Sequence, residues 1–497
     1  MQQASKHRDA RTWTRVITVT LTVIAMCTSV AVGDAGAQQT FYVATTGHDV
    51  PSGGASSAPW ATITYALDHV GDGSTILVRP GTYTGRVSLR GRFATGVVVR
   101  SEVRYQARLR HSDTVVVCFY GQGISLQGFD IAHSGPGAGA LVVQIQDLIG
   151  EPGGDERVSR IVLRDNVLHD SFDNDILKIN NGASDVTVVG NVFYNQAGHD
   201  EHIDVNSVTD VVIQDNVFFN DFAGSGRTDT TITGPFIVIK DSNGTDDSNL
   251  GSERITVRRN VFLNWEGSDG ANFVLIGEDG APYYEARDVL VENNLFLGNS
   301  AKPMRAAFGV KGARDVDFRN NTVVGDLPAL AFAMRLNREG DNQPNASIRF
   351  ANNVWSDPAG TMGAEGPGRD NDFSDTPPAD TTSFLLWSNV YWNGGVALPG
   401  SGSELLSPGD DTARVVGDPL LPSTSGIVVP RWLPEQGAFA DGSGRIRRVF
   451  RRLVKRYGKP AVGSAVIAAD DPAHAPAKDI LRRPRDLDAP AAGAFER

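Results

Sequence analysis

The sequence predicts an all-β parallel solenoid, because it combines a recurring phrase, strand periodicity and many glycines. The phrase pairs an asparagine with apolar residues, and its shared asparagines are Asn166, Asn191, Asn216, Asn260, Asn294, Asn321, Asn353 and Asn389. The shortest spacings, 191 − 166 and 216 − 191, are 25 residues, and the longer ones contain insertions. Before each asparagine runs a segment in which alternate residues are apolar, which is strand period. Such a unit cannot bury its own apolar face, so the units must stack.

The recurring asparagine predicts a ladder of buried amides along the stack, with Asn191 directly over Asn216. A β-propeller is the alternative repeat architecture. Its blades need longer and more regular four-stranded units, which favours the solenoid.

The sequence can be divided into predicted segments, beginning with the N-terminus. The N-terminus has basic residues, then an apolar run, then Ala35-x-Ala37, which is typical of a cleaved secretion signal. We therefore expect a secreted, periplasmic or extracellular protein with a bacterial-type signal peptide. The predicted divisions are a signal peptide over 1–37, a first strand and capping helix over 38–70, the solenoid over 71–395, a loop-rich extension over 396–440, and a basic helix with the C-terminal tail over 441–497.

The segment "GRIRRVFRRLVKRYGK" predicts a basic amphipathic helix, because its apolar residues recur at helical spacing. Two interpretations are open. The helix packs on the flank of the solenoid with a solvated basic face, or that face binds an anionic polymer or an envelope surface.

The net charge and the cysteine content restrict the possible binding partners and disulfide bonds. The formal net charge of −12 argues against a nucleic-acid binder, which needs a basic surface. Removal of the signal peptide would leave Cys118 without an intrachain disulfide partner. We expect a monomer with no membrane span in the mature form.

Both ends of the chain resemble a known group of proteins. "FYVATTGHDVPSGGASSAPWATITYALDHVGDGSTILVRPGTYTG" is similar to the opening of secreted right-handed parallel β-helix proteins, among them polysaccharide lyases of the pectate lyase-like and the alginate and dermatan lyase-like groups. "AKDILRRPRDLDAPAAGAFER" is similar to the ending of many such proteins. The resemblance implies a right-handed parallel β-helix, and it leaves the activity to be argued from the site, because this fold hosts several functions.

Alternation along the strands predicts an outward stripe of polar residues. If Leu177 and Ile179 point inward, together with their equivalents on later coils, an alternating stripe of lysine and aspartate points outward. Its members are Lys178, Asp204, Lys240 and Lys311, with Asn180 and Asn206 beside them.

An acidic cluster near this stripe predicts a calcium site. Calcium takes six to eight oxygen ligands from flexible turns. The expected ligands come from consecutive coils and are Asp173, Asp175, Asp200 and Glu201. His199 and His202 alone give a weak zinc signal.

The resemblance implies a lyase that cleaves a uronic-acid polysaccharide by β-elimination, with Lys178 or Lys240 as base, His202 as base or acid, and Asp204 as orienting residue or metal ligand. Candidate substrate-binding residues are Asn180, Asn206, Arg227, Arg305, Lys311 and Arg335. The alginate and dermatan lyases have an arginine in "RHG", which "HIDVNS" lacks, and the "DPHE" motif of mannuronan epimerases is absent. Three alternatives therefore stay open: a hydrolase using Asp204 with Asp175 or Glu201, an epimerase, and a non-catalytic glycan-binding protein.

Overall fold

The computed structural model describes residues 39–148, 157–197, 200–227, 234–247, 249–266, 272–299, 304–325, 332–363, 372–486 and 488–496. The predicted signal peptide, 1–37, lies outside the described residues, as does His199.

The described chain is a stack of coils whose strands form three parallel sheets, here called sheets 1, 2 and 3 in the order in which each coil visits them. Sheet 1 contains Val143–Gln146, Leu177–Asn180, Ile203–Asn206, Ile237–Lys240, Asn272–Ile276, Ala306–Lys311, Met334–Asn337 and Ser374–Asp375. Sheet 2 contains Thr40–Val43, Thr75–Val78, Ser159–Arg164, Ser184–Val189, Thr209–Gln214, Ser252–Arg258, Ala286–Glu292, Ala313–Arg319, Ala346–Ala351 and Phe384–Trp387. Sheet 3 contains Gly81–Thr84, Ala107–His111, Asp130–His133, Val167–His169, Val192–Tyr194, Val217–Phe219, Val261–Leu263, Leu295–Gly298, Thr322–Gly325, Val354–Asp357, Val390–Asn393 and Val415–Val416.

Two long strands, Val87–Ser101 and Val116–Gln127, run from sheet 1 into sheet 2. The first helix, Ile63–His69, follows the first strand, and the Thr62 hydroxyl caps it by accepting from the Tyr65 amide at 3.1 Å. Short 3₁₀ helices cover Gly244–Asp246 and Pro408–Asp410. The parallel β-helix prediction is confirmed, and the stack continues to Val415–Val416, past the expected end of the solenoid at 395.

The interior of the stack is apolar because alternate residues of each strand face it. Phenylalanines of sheet 3 stack through the interior with ring centroids 4.6 to 5.0 Å apart, in the order Phe193, Phe218, Phe262 and Phe296. Cys118 is free and buried in the same interior.

The predicted asparagine ladder is confirmed at the corner between sheets 2 and 3. The side-chain oxygen of Asn216 accepts from the Asn191 backbone amide at 2.8 Å, and the Asn191 side-chain nitrogen donates to the Leu163 carbonyl at 2.9 Å. The same pattern repeats from Asn166 upward. Asp411 ends the ladder by accepting from the backbone and side chain of Asn389 at 3.0 and 2.8 Å. The buried backbone groups at this corner are thereby satisfied.

The C-terminal part covers the outer face of sheet 3. An antiparallel pair, Trp432–Leu433 with Ala438–Phe439, precedes the helix Ile446–Tyr457. The apolar side of this helix packs on outward valines and leucines of sheet 3, among them Val217 and Leu295. Among the described residues, no helix has the length and apolar character needed to cross a membrane.

Candidate active site

The outer face of sheet 1 brings Lys178 and Asp204 together. Leu177–Asn180 pairs with Ile203–Asn206 in parallel, and the register sets Lys178 beside Asp204 and Asn180 beside Asn206. The Lys178 ammonium lies 2.6 Å from Asp204 Oδ2. The predicted relationship between these two residues is confirmed. It follows from buried neighbours on both strands, which fix which residues point outward.

The register corrects the expected single stripe. Val238, not Lys240, pairs with Asp204, and Lys240 pairs with Asn206. The outward residues of sheet 1 thus form two columns, two residues apart along each strand. Lys178 and Asp204 lie in one column, and Lys240 lies in the other.

Three acids meet beside the first column. Asp175, Asp200 and Glu201 place one carboxylate oxygen each within 4.8 Å of the others. Asp175 Oδ1 also accepts from the Glu201 backbone amide at 2.8 Å, and Asp175 Oδ2 lies 3.9 Å from Lys178 Nζ. Asp204 is 1% exposed, and its Oδ1 has no hydrogen-bond partner among the described residues. We call these four acids the acidic cluster.

Burial makes the acidic cluster unfavourable when fully ionised. It raises the pKa of Asp175 to about 7, and the neighbouring Asp204 carboxylate adds to the rise. Burial also raises the pKa of Asp200 to about 6. The pKa of Glu201 lies well above its usual range, because of burial first and the neighbouring Asp175 carboxylate second. A divalent cation would neutralise this excess of carboxylates.

The residues present fit calcium. Calcium binds carboxylate oxygens, and Asp175, Asp200 and Glu201 converge on one point while Asp204 keeps an unpartnered oxygen. Of the four predicted ligands, Asp173 is not one of the three converging acids, although its charge acts on Asp200 through space. Its Oδ2 accepts from the Ala140 backbone amide at 2.7 Å.

The acids around Lys240 include two that are absent from the predicted site. Its ammonium lies 2.7 Å from Glu278 and 3.5 Å from Asp279. Burial disfavours the charged amine, yet Asp204 and Glu278 outweigh burial and raise the pKa of Lys240. Both acids follow the strand Asn272–Ile276, and the sequence places them near the stripe but not among the predicted ligands.

Buried Glu285 holds the loop that carries Glu278 and Asp279. Its carboxylate accepts from the backbone amides of Glu278, Asp279 and Ala281 at 2.8 to 3.1 Å, and from the Asn342 side chain at 2.7 Å. The sequence gives no repeat signal for this residue.

His202 does not point to the outer face of sheet 1, contrary to prediction. Its ring is fully buried, lies 4.3 Å from the Phe236 ring centroid, and shares a hydrogen bond with Asn220 through Nε2 at 3.0 Å. Burial lowers the pKa of His202 to about 3. A neutral histidine in the core has no access to substrate, so we assign it no catalytic role.

The predicted arginines are engaged elsewhere. Arg227 binds Asp170 and the Asn195 carbonyl and lies over the rings of Phe172 and Phe222. Arg305 lies over the Phe332 ring. The structure brings neither to the acidic cluster.

The remaining predicted substrate residues lie on or next to the outward columns. Arg335 occupies the Lys178 column three strands beyond Val238 and pairs with Asp375 at 2.6 Å. Lys311 pairs with Glu339. Asn206 exchanges hydrogen bonds with Ser242, and Asn180 is buried beside it. The site therefore centres on the acidic cluster, Lys178 and Lys240.

Comparison with known proteins adds similarity of fold. No protein-family model matches the chain. No curated protein matches it either. Among solved structures, the chain is similar to pectate lyase Pel9A, with 14% identity, a TM-score of 0.47, and coverage of 93% of this chain and 96% of that one.

Two further solved structures are similar over a smaller part of the chain. A mannuronic acid-specific polysaccharide family 6 lyase from human gut microbiota shares 14% identity at a TM-score of 0.45, covering 71% of this chain and 81% of that one. The A-module of the mannuronan C-5 epimerase AlgE6 of Azotobacter vinelandii shares 15% identity at a TM-score of 0.39, covering 71% and 91%. At these identities, roles for individual residues have to come from the geometry of the site.

Proposed function

We propose that this protein is a secreted polysaccharide lyase that cleaves a uronic-acid-containing polymer by β-elimination with the help of calcium. The supporting observation is the acidic cluster: Asp204 lies on sheet 1, the three converging acids precede two strands of that sheet, and Lys178 and Lys240 lie in its two outward columns. β-Elimination needs a cation that neutralises the uronate carboxylate and a base that removes the proton from the adjacent carbon. The acids would bind the cation, and a lysine would be the base.

The acidic cluster would hold the cation. Asp175, Asp200, Glu201 and the free oxygen of Asp204 would be its ligands. Bound calcium would neutralise the uronate carboxylate and so make the neighbouring C–H more acidic.

Lys240 is the better candidate for the base. Lys178 donates to Asp204 and lies 3.9 Å from Asp175, so it stands among the ligands themselves. Lys240 faces the cluster from the next coil and pairs with Glu278, which is outside it. Calcium held by Asp204 and Glu201 would offset two of the acids that raise the pKa of Lys240 and so lower that pKa, while Glu278 and Asp279 would still favour the ammonium.

The neutral amine of Lys240 would take the proton from the carbon next to the uronate carboxylate. The electron pair of that C–H bond forms the new carbon–carbon double bond, and the glycosidic C–O bond on the neighbouring carbon breaks. Water would supply the proton to the departing oxygen, and the hydroxide left behind would take the proton from the Lys240 ammonium and restore the amine. The products are a reducing end and an unsaturated uronate.

The hydrolase alternative receives less support. Its predicted pairs are Asp204 with Asp175 or with Glu201, but all three side chains are buried and Oδ2 of Asp204 is already bound to Lys178 at 2.6 Å. A retaining or inverting pair needs a separation of roughly 5 to 9.5 Å, with the sugar bond between the two groups.

The test is an activity screen on polygalacturonate, alginate and glycosaminoglycans, with and without calcium. We expect an unsaturated uronate to absorb on one of them, only with calcium, and the Lys240→Ala variant to lose at least 100-fold in rate. Lys478→Ala is the control, because Lys478 is an exposed lysine of the C-terminal part, outside sheet 1. Reducing ends without the absorbance would indicate hydrolysis, and binding without any product would indicate a glycan-binding protein.

A further inference from the structure

The helix Ile446–Tyr457 carries a second charged surface that the proposed active site does not use. Its exposed cations, together called the basic face, are Arg445, Arg447, Arg448, Arg451, Arg452, Lys455 and Arg456. We propose that the basic face binds an acidic polysaccharide at a second, non-catalytic site. The choice of polymer rests on the proposed function, whereas the anion-binding property rests on this surface alone.

The apolar side of the helix accounts for its folding. Ile446, Val449, Phe450, Leu453, Val454 and Tyr457 are all buried, and they join the outward residues of sheet 3 and the Trp432 ring in one cluster. Packing of this kind holds the helix in place whatever residues occupy its other side. The cations are therefore free to serve another purpose.

The cations are unfavourable to the folded helix itself. Arg447 with Arg451, and Arg451 with Lys455, are like charges four residues apart, a spacing that destabilises a helix. Arg447 and Arg448 also lie in the first turn, where the helix dipole disfavours positive charge. Neither folding nor packing explains this arrangement.

Acids of the protein leave most of the basic face unpaired. Among the described residues, only Arg452 makes an ion pair from this face, with Asp441. Asp165 lies near enough to Arg445 and Arg447 to interact through space, without an ion pair to either in the described parts of the chain. In a protein with a formal net charge of −12, seven cations between 445 and 456 are a strong local exception.

The shape of the surface suits an extended anion. A depression of about 860 Å³ follows the basic face and is lined by Gly444 and six of the cations. Guanidinium groups bind carboxylates through two parallel hydrogen bonds, which gives arginine an advantage over lysine at such a surface. A polymer with one carboxylate on each sugar can contact several of them at once.

The buried apolar side argues against a membrane as the partner. A helix that binds lipid inserts its apolar residues among the acyl chains. Here those residues are already covered by sheet 3 and the Trp432 ring. A soluble polyanion needs the charged side only.

A second site of this kind would raise the local concentration of polymer. The helix packs on sheet 3, whereas Lys178 and Asp204 lie on sheet 1. A polymer long enough to contact both surfaces would gain affinity from the second site, and a short oligosaccharide that contacts only one of them would not. The effect should therefore grow with polymer length.

The test compares binding of long polygalacturonate and alginate to the full-length protein and to a triple variant, Arg447→Gln, Arg448→Gln and Arg451→Gln, at several salt concentrations. We expect the variant to lose at least tenfold in affinity and most of the salt dependence, with an unchanged or higher Tm. The matched control removes three exposed arginines of the same charge elsewhere, Arg86→Gln, Arg254→Gln and Arg349→Gln. It should bind as the unmodified protein does.

Two further measurements separate the outcomes. Lys240→Ala should keep the binding. If the unmodified protein forms no unsaturated uronate on any polymer but still binds through the basic face, the elimination reaction is refuted and this site stands. If the triple variant does not fold, Lys455→Gln with Arg456→Gln replaces it, with an expected loss of at least threefold. Equal binding by the triple variant and the unmodified protein, or binding only to anionic lipid vesicles or to DNA, would overturn the proposal.

Discussion

The Lys178 ammonium lies 2.6 Å from Oδ2 of Asp204 on the next coil, while Oδ1 of the same carboxylate is buried without a hydrogen-bond partner among the described residues. One oxygen of this carboxylate thus binds a lysine, while the other has no partner to offset its charge. Lys178 supplies positive charge to the same acids that would bind calcium. The two cations therefore compete for one set of carboxylates, and this competition can be measured.

The first prediction concerns Lys178. Replacement by methionine keeps the apolar stem but leaves Asp204 and Asp175 without their nearest cation. In the presence of a chelator, we expect the free energy of unfolding to fall by about 2 kcal/mol, because a buried carboxylate that loses its partner is destabilising. With calcium the loss should shrink, since the metal replaces the missing charge. Denaturant unfolding of Lys178→Met and of the control Lys311→Met, with and without calcium, checks this, and an equal loss in both conditions would contradict it.

The second prediction concerns calcium itself. A ligand that binds only the folded state at 100 times its Kd stabilises by about 2.7 kcal/mol, so Tm should rise with calcium and return with a chelator. Glu201→Gln and Asp200→Asn should remove most of the rise. Asp173→Asn is the control, because Asp173 instead accepts from the Ala140 backbone amide, and it should keep the rise. No change of Tm with calcium in the unmodified protein would exclude the cation site.

The sequence alone predicted the asparagine ladder and the pairing of Lys178 with Asp204. Both follow from short-range rules. Strand alternation decides which residues point outward. The near-constant length of consecutive coils, 25 residues between the ladder asparagines Asn191 and Asn216 and 26 between Lys178 and Asp204, decides which residues lie side by side.

The failures occur where those rules stop. A strand of four residues has two outward positions. Alternation therefore shows that Val238 and Lys240 both point outward, but it does not show which of them lies beside Asp204; the register places Val238 there. His202 precedes its strand, at a corner where alternation no longer predicts direction, and its ring turned into the core. Arg227 belongs to an insertion that has no counterpart on neighbouring coils, so no repeat could place it.

The third prediction concerns pH and His169, whose side chain is 12% exposed. Its ring bonds Asp130 at 2.8 Å and Asp170 at 2.7 Å, with Arg110 and Arg227 as the cations facing these acids. Burial opposes protonation, but the two aspartates outweigh it and raise the pKa of His169 above 6.5. The stabilisation is therefore complete below about pH 6.5 and is lost as pH rises through the pKa of the folded state.

The aspartates titrate in the opposite direction. Although burial works against it, His169 lowers the pKa of Asp170 to about 2, so this contribution is present above about pH 4 and is lost as pH falls toward 2. We expect the free energy of unfolding to decline on the alkaline side in the unmodified protein and to be flatter there in His169→Gln. Urea unfolding between pH 5 and 9 checks this, and parallel curves for the two proteins would refute it.

The fourth prediction concerns the asparagine ladder. In Asn216→Ala the Asn191 backbone amide loses its acceptor and the Val188 carbonyl loses its donor, and both groups stay buried. An unsatisfied buried group costs about 1 to 3 kcal/mol, so we expect the free energy of unfolding to fall by about 3 kcal/mol. Gln343→Ala, which removes an exposed side chain that donates to the Pro282 carbonyl, is the control and should change it by less than about 0.5 kcal/mol. Asn216→Asp should also lower the free energy of unfolding. Its carboxylate can accept from the Asn191 backbone amide but cannot donate to the Val188 carbonyl. If Asn216→Ala unfolds as the unmodified protein does, the ladder contributes no net stability and the stack is held by its apolar interior alone.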